Sequence, residues 1–181
     1  MPKIRLKRSA VFLDRDGVIN KVVFRDGKPA APRDAAEFEI EPDVDREAQR
    51  LSDAGFKVFV VTNQPDIARG LLTPANLQAM TEILMERLTL DGVKICPHDD
   101  SDGCKCRKPH PGMLVELSRE HDIDLSGSYI VGDSWKDMQA GRTAGSTSII
   151  LDRCYNREVP ADFRAANLAQ AVDFILARCS P

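Results

Sequence analysis

Two carboxylates, Asp14 and Asp16, stand one residue apart where an apolar run of the chain ends. The run Ala10–Leu13 is short and apolar, which is typical of a buried strand. In an extended chain, residues i and i+2 share a face, so both carboxyl groups can address one centre while Arg15 points away. The pair suggests a nucleophile beside a general acid/base, although the letters DRDG alone also fit a simple turn.

Three further segments place polar residues after an apolar run or a cysteine-rich loop. They are Val58–Val61 before Thr62 and Asn63, Ile130–Gly132 before Asp133, and the Arg107–Lys108–Pro109 segment. In chain order these residues match DxD, a strand-ending Thr, a Lys and GDxxxD. The chain therefore resembles the haloacid dehalogenase-like phosphohydrolases from residue 11 to about residue 151. The resemblance implies a three-layer, Rossmann-like α/β fold with a parallel sheet.

The resemblance also implies roles for these residues in cleaving a phosphate ester. Asp14 is expected to attack phosphorus and form an aspartyl-phosphate, and Asp16 to act first as general acid and then as general base. Thr62 and Lys108 complete the expected catalytic set, and Mg²⁺ is expected on Asp14, the Asp16 carbonyl and Asp133. The residues expected to bind the substrate are Asp14, Arg15, Asp16, Thr62, Asn63, Arg107 and Lys108. Asp137 either orients Lys108 or is a first-turn acid that the helix dipole stabilises.

A second cluster combines three thiols and one imidazole within eleven residues: Cys96, His98, Cys104 and Cys106. Four such ligands match a closed tetrahedral zinc site, which predicts a structural role. The zinc loop, residues 96–106, leads directly into Arg107 and Lys108, so bound metal would fix the position of both cations. Cys154 and Cys179 have no partner at a suitable spacing, and we expect them to be ordinary residues.

The letters CPH…CxCRKPxPGM and FLDRDGVIN narrow the resemblance to the D-glycero-D-manno-heptose 1,7-bisphosphate phosphatases and the related histidinol-phosphate phosphatases. We expect hydrolysis of the 7-phosphate of the heptose bisphosphate. Histidinol phosphate or another small phosphate monoester is the alternative, because the gap between His98 and Cys104 is short. A phosphotransferase and an inactive zinc-stabilised binding module are further alternatives. Arg25, Arg33 and Arg69 are candidate contacts for a second phosphate or ordinary surface arginines.

Composition limits the remaining function classes. The 181 residues suit one domain, residues 1–181, and a net charge of −3 gives no broad nucleic-acid footprint. No apolar run approaches membrane-spanning length, and the stretch after Lys3–Arg8 is too short for a secretion signal. We therefore expect a cytoplasmic monomer that acts on a small phosphorylated sugar.

Apolar runs alternate with helical patterns along the chain, which predicts a parallel sheet covered on both faces. We predict strands at about 10–13, 57–61, 94–96, 129–131 and 148–151, and helices near 44–54, 74–90, 111–121, 136–144 and 165–178. The intervals between strands leave no room for a large cap domain. Residues 22–31 and the zinc loop are then the walls of the site, and we expect Trp135 to be partly buried.

Overall fold

A computed structural model describes residues 8–178, which form a six-stranded parallel sheet between layers of helices. The strands are β1 (Ala10–Leu13), β2 (Val23–Arg25), β3 (Lys28–Ala30), β4 (Lys57–Asn63), β5 (Gly92–Cys96), β6 (Tyr129–Gly132), β7 (Thr147–Leu151) and β8 (Phe163–Ala165). The helices are α1 (Val44–Asp53), α2 (Pro74–Arg87), α3 (Gly112–His121), α4 (Trp135–Ala144) and α5 (Leu168–Ala177). The sheet order is β5-β4-β1-β6-β7-β8, while β2 and β3 form a separate antiparallel hairpin. The predicted three-layer α/β class is confirmed.

Strand β1 lies in the middle of the sheet and is buried on both faces. Val11 and Leu13 belong to the core shared with α1 and α5, and Ala10 and Phe12 belong to the opposite core with α3. Because side chains alternate across a strand, two buried faces require an uninterrupted apolar sequence. This explains why no polar residue precedes Asp14 within the strand.

The helix ends follow the local signals in the sequence. Gly55, with φ of +89°, follows α1, and the Thr73 hydroxyl accepts the Asn76 N–H at 3.1 Å while Pro74 opens α2. Such a cap satisfies an amide that the first helical turn leaves unpaired. Helix α2 ends at Arg87, earlier than predicted, because Leu88 is already extended.

Two strand regions differ from the prediction. The wall segment 22–31 contains the β2–β3 hairpin, whose turn residues Asp26 and Gly27 both have positive φ. An Asp-Gly turn favours a two-residue hairpin, but strands of three residues are too short to show a clear alternation. Strand β8 pairs with β7, so the last helix begins after Asn167 and not at Ala165. The Asn167 side chain caps that helix by accepting the Gln170 N–H at 2.9 Å.

The parallel strands bring the predicted functional residues to one edge of the sheet. Asp14 follows β1, Thr62 and Asn63 end β4, and Asp133 follows β6. Because β4 and β6 flank β1, their carboxyl ends lie on either side of Asp14. The chain reverses its direction of travel across the sheet at β1, which is where ligand sites form in open α/β sheets. Within residues 8–178, none of the helices has both the length and the apolar character needed to cross a bilayer.

Candidate active site

A cleft of about 700 Å³ opens at this edge of the sheet. Its floor includes Asp14, Asp16, Lys108 and Asp133, and one wall comes from the β2–β3 hairpin. The zinc loop itself does not line the cleft, which corrects the expected second wall; Arg107, the residue directly after the loop, lies there instead. The volume is in the range of small-molecule sites. A second cavity, of about 530 Å³, lies between α2 and β5, but its lining is mostly apolar and it includes none of the predicted catalytic residues.

Lys108 is the centre of a buried charge cluster. Its Nζ lies 2.8 Å from Asp14 Oδ1 and 2.6 Å from Asp137 Oδ1, and it also donates to the Val61 carbonyl at 2.8 Å. Three acceptors therefore use the three N–H groups of the ammonium. Burial alone would lower the pKa of Lys108, but Asp137 and Asp14 raise it above its ordinary value, so the side chain stays charged.

Asp137 contacts both Lys108 and the residue that precedes α4. Oδ1 binds the Lys108 ammonium, and Oδ2 accepts hydrogen bonds from the backbone N–H and the hydroxyl of Ser134 in the first turn of α4. The side chain is fully buried. Asp137 therefore fixes the position of Lys108 and caps the helix at the same time.

Burial and neighbouring charges raise the pKa values of two carboxyl groups in the cleft. Burial is the main cause for Asp14, whose pKa is well above its usual value, and the negative charge of Asp137 adds to it. The pKa of Asp133 is raised to about 6, again by burial and then by Asp137. The ionised forms of both groups are thus destabilised, and a cation placed between them would relieve the repulsion.

The carboxylate of Asp16 is surrounded by hydrogen-bond donors. Arg15 donates from Nε and Nη2 at 3.1 and 2.9 Å, Asn20 Nδ2 donates at 3.0 Å and Gln64 Nε2 donates at 2.8 Å. The Arg15 side chain is almost fully buried by these contacts and does not line the cleft. Its backbone N–H instead donates to Asp14 Oδ1 at 2.7 Å, so the contribution of Arg15 is to orient both aspartates.

Three polar side chains lie at the end of β4 or directly after it: the Thr62 hydroxyl and the amides of Asn63 and Gln64. Thr62 Oγ1 accepts from Gln64 Nε2 at 2.9 Å, which leaves the hydroxyl hydrogen of Thr62 for another acceptor. Asn63 accepts the Lys108 N–H at 3.0 Å and donates to the Lys108 carbonyl at 2.9 Å. Asn63 therefore holds the Lys108 backbone, although it also lines the cleft.

The carboxylates fit a hard divalent cation. Asp14, Asp133 and Asp137 each offer an oxygen, and these atoms lie within 4.8 Å of one another. Both carboxylate oxygens of Asp137 already accept hydrogen bonds, Oδ1 from Lys108 and Oδ2 from Ser134. Asp14 and Asp133 thus remain as carboxylate ligands, which is the oxygen donor set that suits Mg²⁺.

The cysteine and histidine side chains of the zinc loop converge as predicted. Cys106 Sγ lies 3.1 Å from Cys96 Sγ, 3.5 Å from Cys104 Sγ and 3.3 Å from His98 Nδ1. A tetrahedral site with Zn–S bonds of about 2.3 Å needs sulfur atoms roughly 3.8 Å apart, so a small expansion of the cluster would admit the ion. Gly112 packs on this loop so closely that a Cβ there would lie 2.1 Å from the Lys105 carbonyl oxygen.

The arginines at the rim of the cleft are all paired with acids. Arg107 Nε donates to Asp100 at 2.7 Å, and the remaining pairs are Arg69 with Asp99, Arg33 with Asp66 and Arg25 with Glu37. A second phosphate would therefore meet arginines that are already held in place. Trp135 lies at the same rim and is 54 % exposed, which corrects the expected partial burial. The ring stands clear of the core because it opens α4 beyond the end of β6.

Sequence reasoning missed two side chains of the cleft. Gln64 bridges Asp16 and Thr62, and Tyr155 donates a hydrogen bond from its hydroxyl to Asp133 Oδ2. Gln64 could have been found, because it stands two residues after Thr62. Tyr155 lies in an irregular loop 22 residues after Asp133, and no sequence pattern links the two.

Comparison with known proteins identifies relatives of this chain by sequence. The family profile described as HAD-hydrolase-like matches residues 105–171. The D-glycero-β-D-manno-heptose-1,7-bisphosphate 7-phosphatase of Pseudomonas aeruginosa is 38 % identical over 151 residues, covering 81 % of this chain and 82 % of the relative. The enzyme of the same name from Escherichia coli K12 is 37 % identical over 170 residues, covering 87 % and 86 %.

A solved structure of a protein with a related name also resembles this chain in fold. The crystal structure of D,D-heptose 1,7-bisphosphate phosphatase from Bordetella bronchiseptica, complexed with magnesium and phosphate, superposes with a TM-score of 0.81 at 32 % identity. The match covers 94 % of this chain and 99 % of that one. The chain therefore belongs to the haloacid dehalogenase-like hydrolases, in the family of the heptose bisphosphate phosphatases.

Proposed function

We propose that this protein is a Mg²⁺-dependent phosphatase that removes the 7-phosphate of D-glycero-D-manno-heptose 1,7-bisphosphate. The observation that carries the proposal is the position of Asp14. It follows the central strand and lies on the cleft floor, with the Lys108 ammonium 2.8 Å from its carboxylate. The choice of substrate is inferred from the names of two relatives that are 37–38 % identical to this chain.

The first chemical step forms a bond between a carboxylate oxygen of Asp14 and phosphorus. The bond between phosphorus and the sugar oxygen breaks, and Asp16 gives a proton to that oxygen. Lys108 balances charge beside the nucleophile, and the Thr62 hydroxyl can donate to a phosphoryl oxygen. Such preorganised positive charge is the main requirement of phosphoryl transfer.

In the second step, Asp16 takes a proton from water as the water oxygen attacks phosphorus. Inorganic phosphate leaves and the Asp14 carboxylate is restored, so one group serves as acid and then as base. Asp14, Asp133 and the Asp16 carbonyl would hold Mg²⁺, which supplies positive charge for the phosphoryl oxygens when it is bound. The raised pKa values of Asp14 and Asp133 support a cation at this place.

We also propose that the zinc loop is a structural site. Cys96, His98, Cys104 and Cys106 would hold Zn²⁺, and Arg107, directly after Cys106, lies in the cleft wall with its guanidinium on Asp100. Metal binding would therefore keep one wall of the cleft in place. Every group named in the mechanism comes from one sheet-centred unit, which supports a single-domain, monomeric enzyme.

The test is phosphate release with Mg²⁺ from the α and β anomers of heptose 1,7-bisphosphate, with histidinol phosphate alongside. We expect a strong preference for a heptose anomer. A preference for histidinol phosphate would contradict the proposed substrate and leave the phosphatase chemistry standing. The Asp14→Asn variant should release no phosphate from any of them while keeping its zinc content and melting temperature. Substantial hydrolysis by this variant would exclude Asp14 as the nucleophile.

A further inference from the structure

The loop after β7, residues 152–159, is held in place by one guanidinium. Arg164 on β8 donates to the Asp152 and Asn156 side chains at 2.9 and 3.2 Å. It also donates to the carbonyls of Asn156, Arg157 and Val159 at 3.2, 3.2 and 2.8 Å. Five hydrogen bonds from a single side chain give this irregular segment a defined conformation.

The same loop is attached to the ends of β1 and β6. Asn156 Nδ2 is buried and donates to the Asp133 carbonyl at 2.7 Å and to the Leu151 carbonyl at 2.8 Å. Arg153 Nη2 donates to the Gly17 carbonyl at 2.7 Å. The loop therefore joins the two strand ends that carry Asp14 and Asp133, and its position is fixed relative to both.

Tyr155 extends from this loop to the carboxylate of Asp133. Its hydroxyl donates to Asp133 Oδ2, and its ring lines the cleft. Gly17, with φ of +82°, makes room for this contact, because a Cβ there would lie 2.1 Å from Asp133 Oδ2 and 3.1 Å from the Tyr155 hydroxyl.

We propose that Tyr155 is a positioning residue for the metal site: its hydroxyl holds one oxygen of Asp133, so that the carboxylate keeps the orientation in which it binds Mg²⁺. The inference rests on the proposed function, because it takes Asp133 to be a metal ligand. Groups that hydrogen-bond to metal ligands orient them, and their loss typically weakens metal binding by about 10–100-fold. Tyr155 acts through Asp133 and needs no contact with the substrate.

The test is Mg²⁺ binding to the full chain by isothermal titration calorimetry, without substrate. Tyr155→Phe removes only the hydroxyl, and we expect the Kd for Mg²⁺ to rise by roughly 10-fold or more. The chain has two tyrosines, so Tyr129→Phe is a matched control that deletes a hydroxyl at the opposite end of β6. This control should bind Mg²⁺ like the unaltered protein. At saturating Mg²⁺ the Tyr155→Phe variant should recover most of its turnover.

An unchanged Kd in Tyr155→Phe would overturn the inference, and so would tighter binding, which would mean that the hydroxyl competes with the ion. A higher KM for substrate with an unchanged Kd for Mg²⁺ would make Tyr155 a substrate contact and would also overturn it. If Tyr155→Phe does not fold, Arg164→Gln loosens the loop while keeping the tyrosine, and it should weaken Mg²⁺ binding as well. Failure of the unaltered protein to bind Mg²⁺ would instead refute the proposed function.

Discussion

Replacing Lys108 with methionine should destabilise the protein strongly, because the change leaves two buried carboxylates without their cation. Nζ lies 2.8 Å from Asp14 and 2.6 Å from Asp137. At these distances and an effective dielectric constant of about 20, Coulomb's law gives roughly 6 kcal/mol per pair. The cost of desolvating the charges opposes this gain, and removal of one partner from a buried pair typically costs about 3–5 kcal/mol. For a chain of 181 residues, this loss lowers the melting temperature by about 6–20 °C.

Scanning calorimetry without Mg²⁺ at pH 8 and pH 5 would measure this loss. Burial already raises the pKa of Asp14, so the deficit of the Lys108→Met variant should be smaller at the lower pH, because protonation of this carboxyl removes the uncompensated charge. Lys28→Met makes the same change at an exposed position and should leave the melting temperature unchanged. An unchanged melting temperature for Lys108→Met at pH 8 would show that the ammonium does not compensate the buried carboxylates.

Two further outcomes follow from the candidate metal sites. Cys104→Ser should lower both the zinc content and the melting temperature. Cys154→Ser, at an exposed position outside the cluster, is the control and should change neither. Equal zinc content in both variants would refute the structural zinc site. The pKa of Asp133, raised to about 6 against a usual 3.8, means that the metal-free protein loses about 3 kcal/mol as the pH rises from roughly 4 to 6. Mg²⁺ binds the ionised form, so the rise in melting temperature that it causes should be large at pH 8 and small at pH 5, and an equal rise at both would contradict this assignment.

Much of the fold could be predicted because its signals are local. The central strand β1 is apolar throughout, since both of its faces are buried, and the order of strand, polar end and helix repeats along the chain. The convergence of Asp14, Thr62 and Asp133 could be predicted for the same reason, since parallel strands bring their carboxyl ends to one edge. Lys108 follows the zinc loop and not a strand, and the catalytic roles of all four residues stay predictions.

The remaining features depend on contacts between distant parts of the chain. Strand β8 has three residues, and only its pairing with β7 makes it a strand. The exposure of Trp135 depends on where α4 starts relative to the cleft, and the contact of Tyr155 with Asp133 depends on the hydrogen bonds of Arg164. Cys179 lies outside the described residues, so its expected lack of a role stays a prediction.

The β2–β3 hairpin lies between β1 and α1, outside the main sheet, yet Arg25, Lys28 and Pro29 from it line the cleft. The groups proposed to break the phosphate ester come from the strand ends and from Lys108. The proposed reactive groups and this part of the cleft wall therefore lie in separate stretches of sequence. We expect a hairpin transplanted from a relative to change which phosphate esters enter the cleft while the reactive centre keeps its geometry.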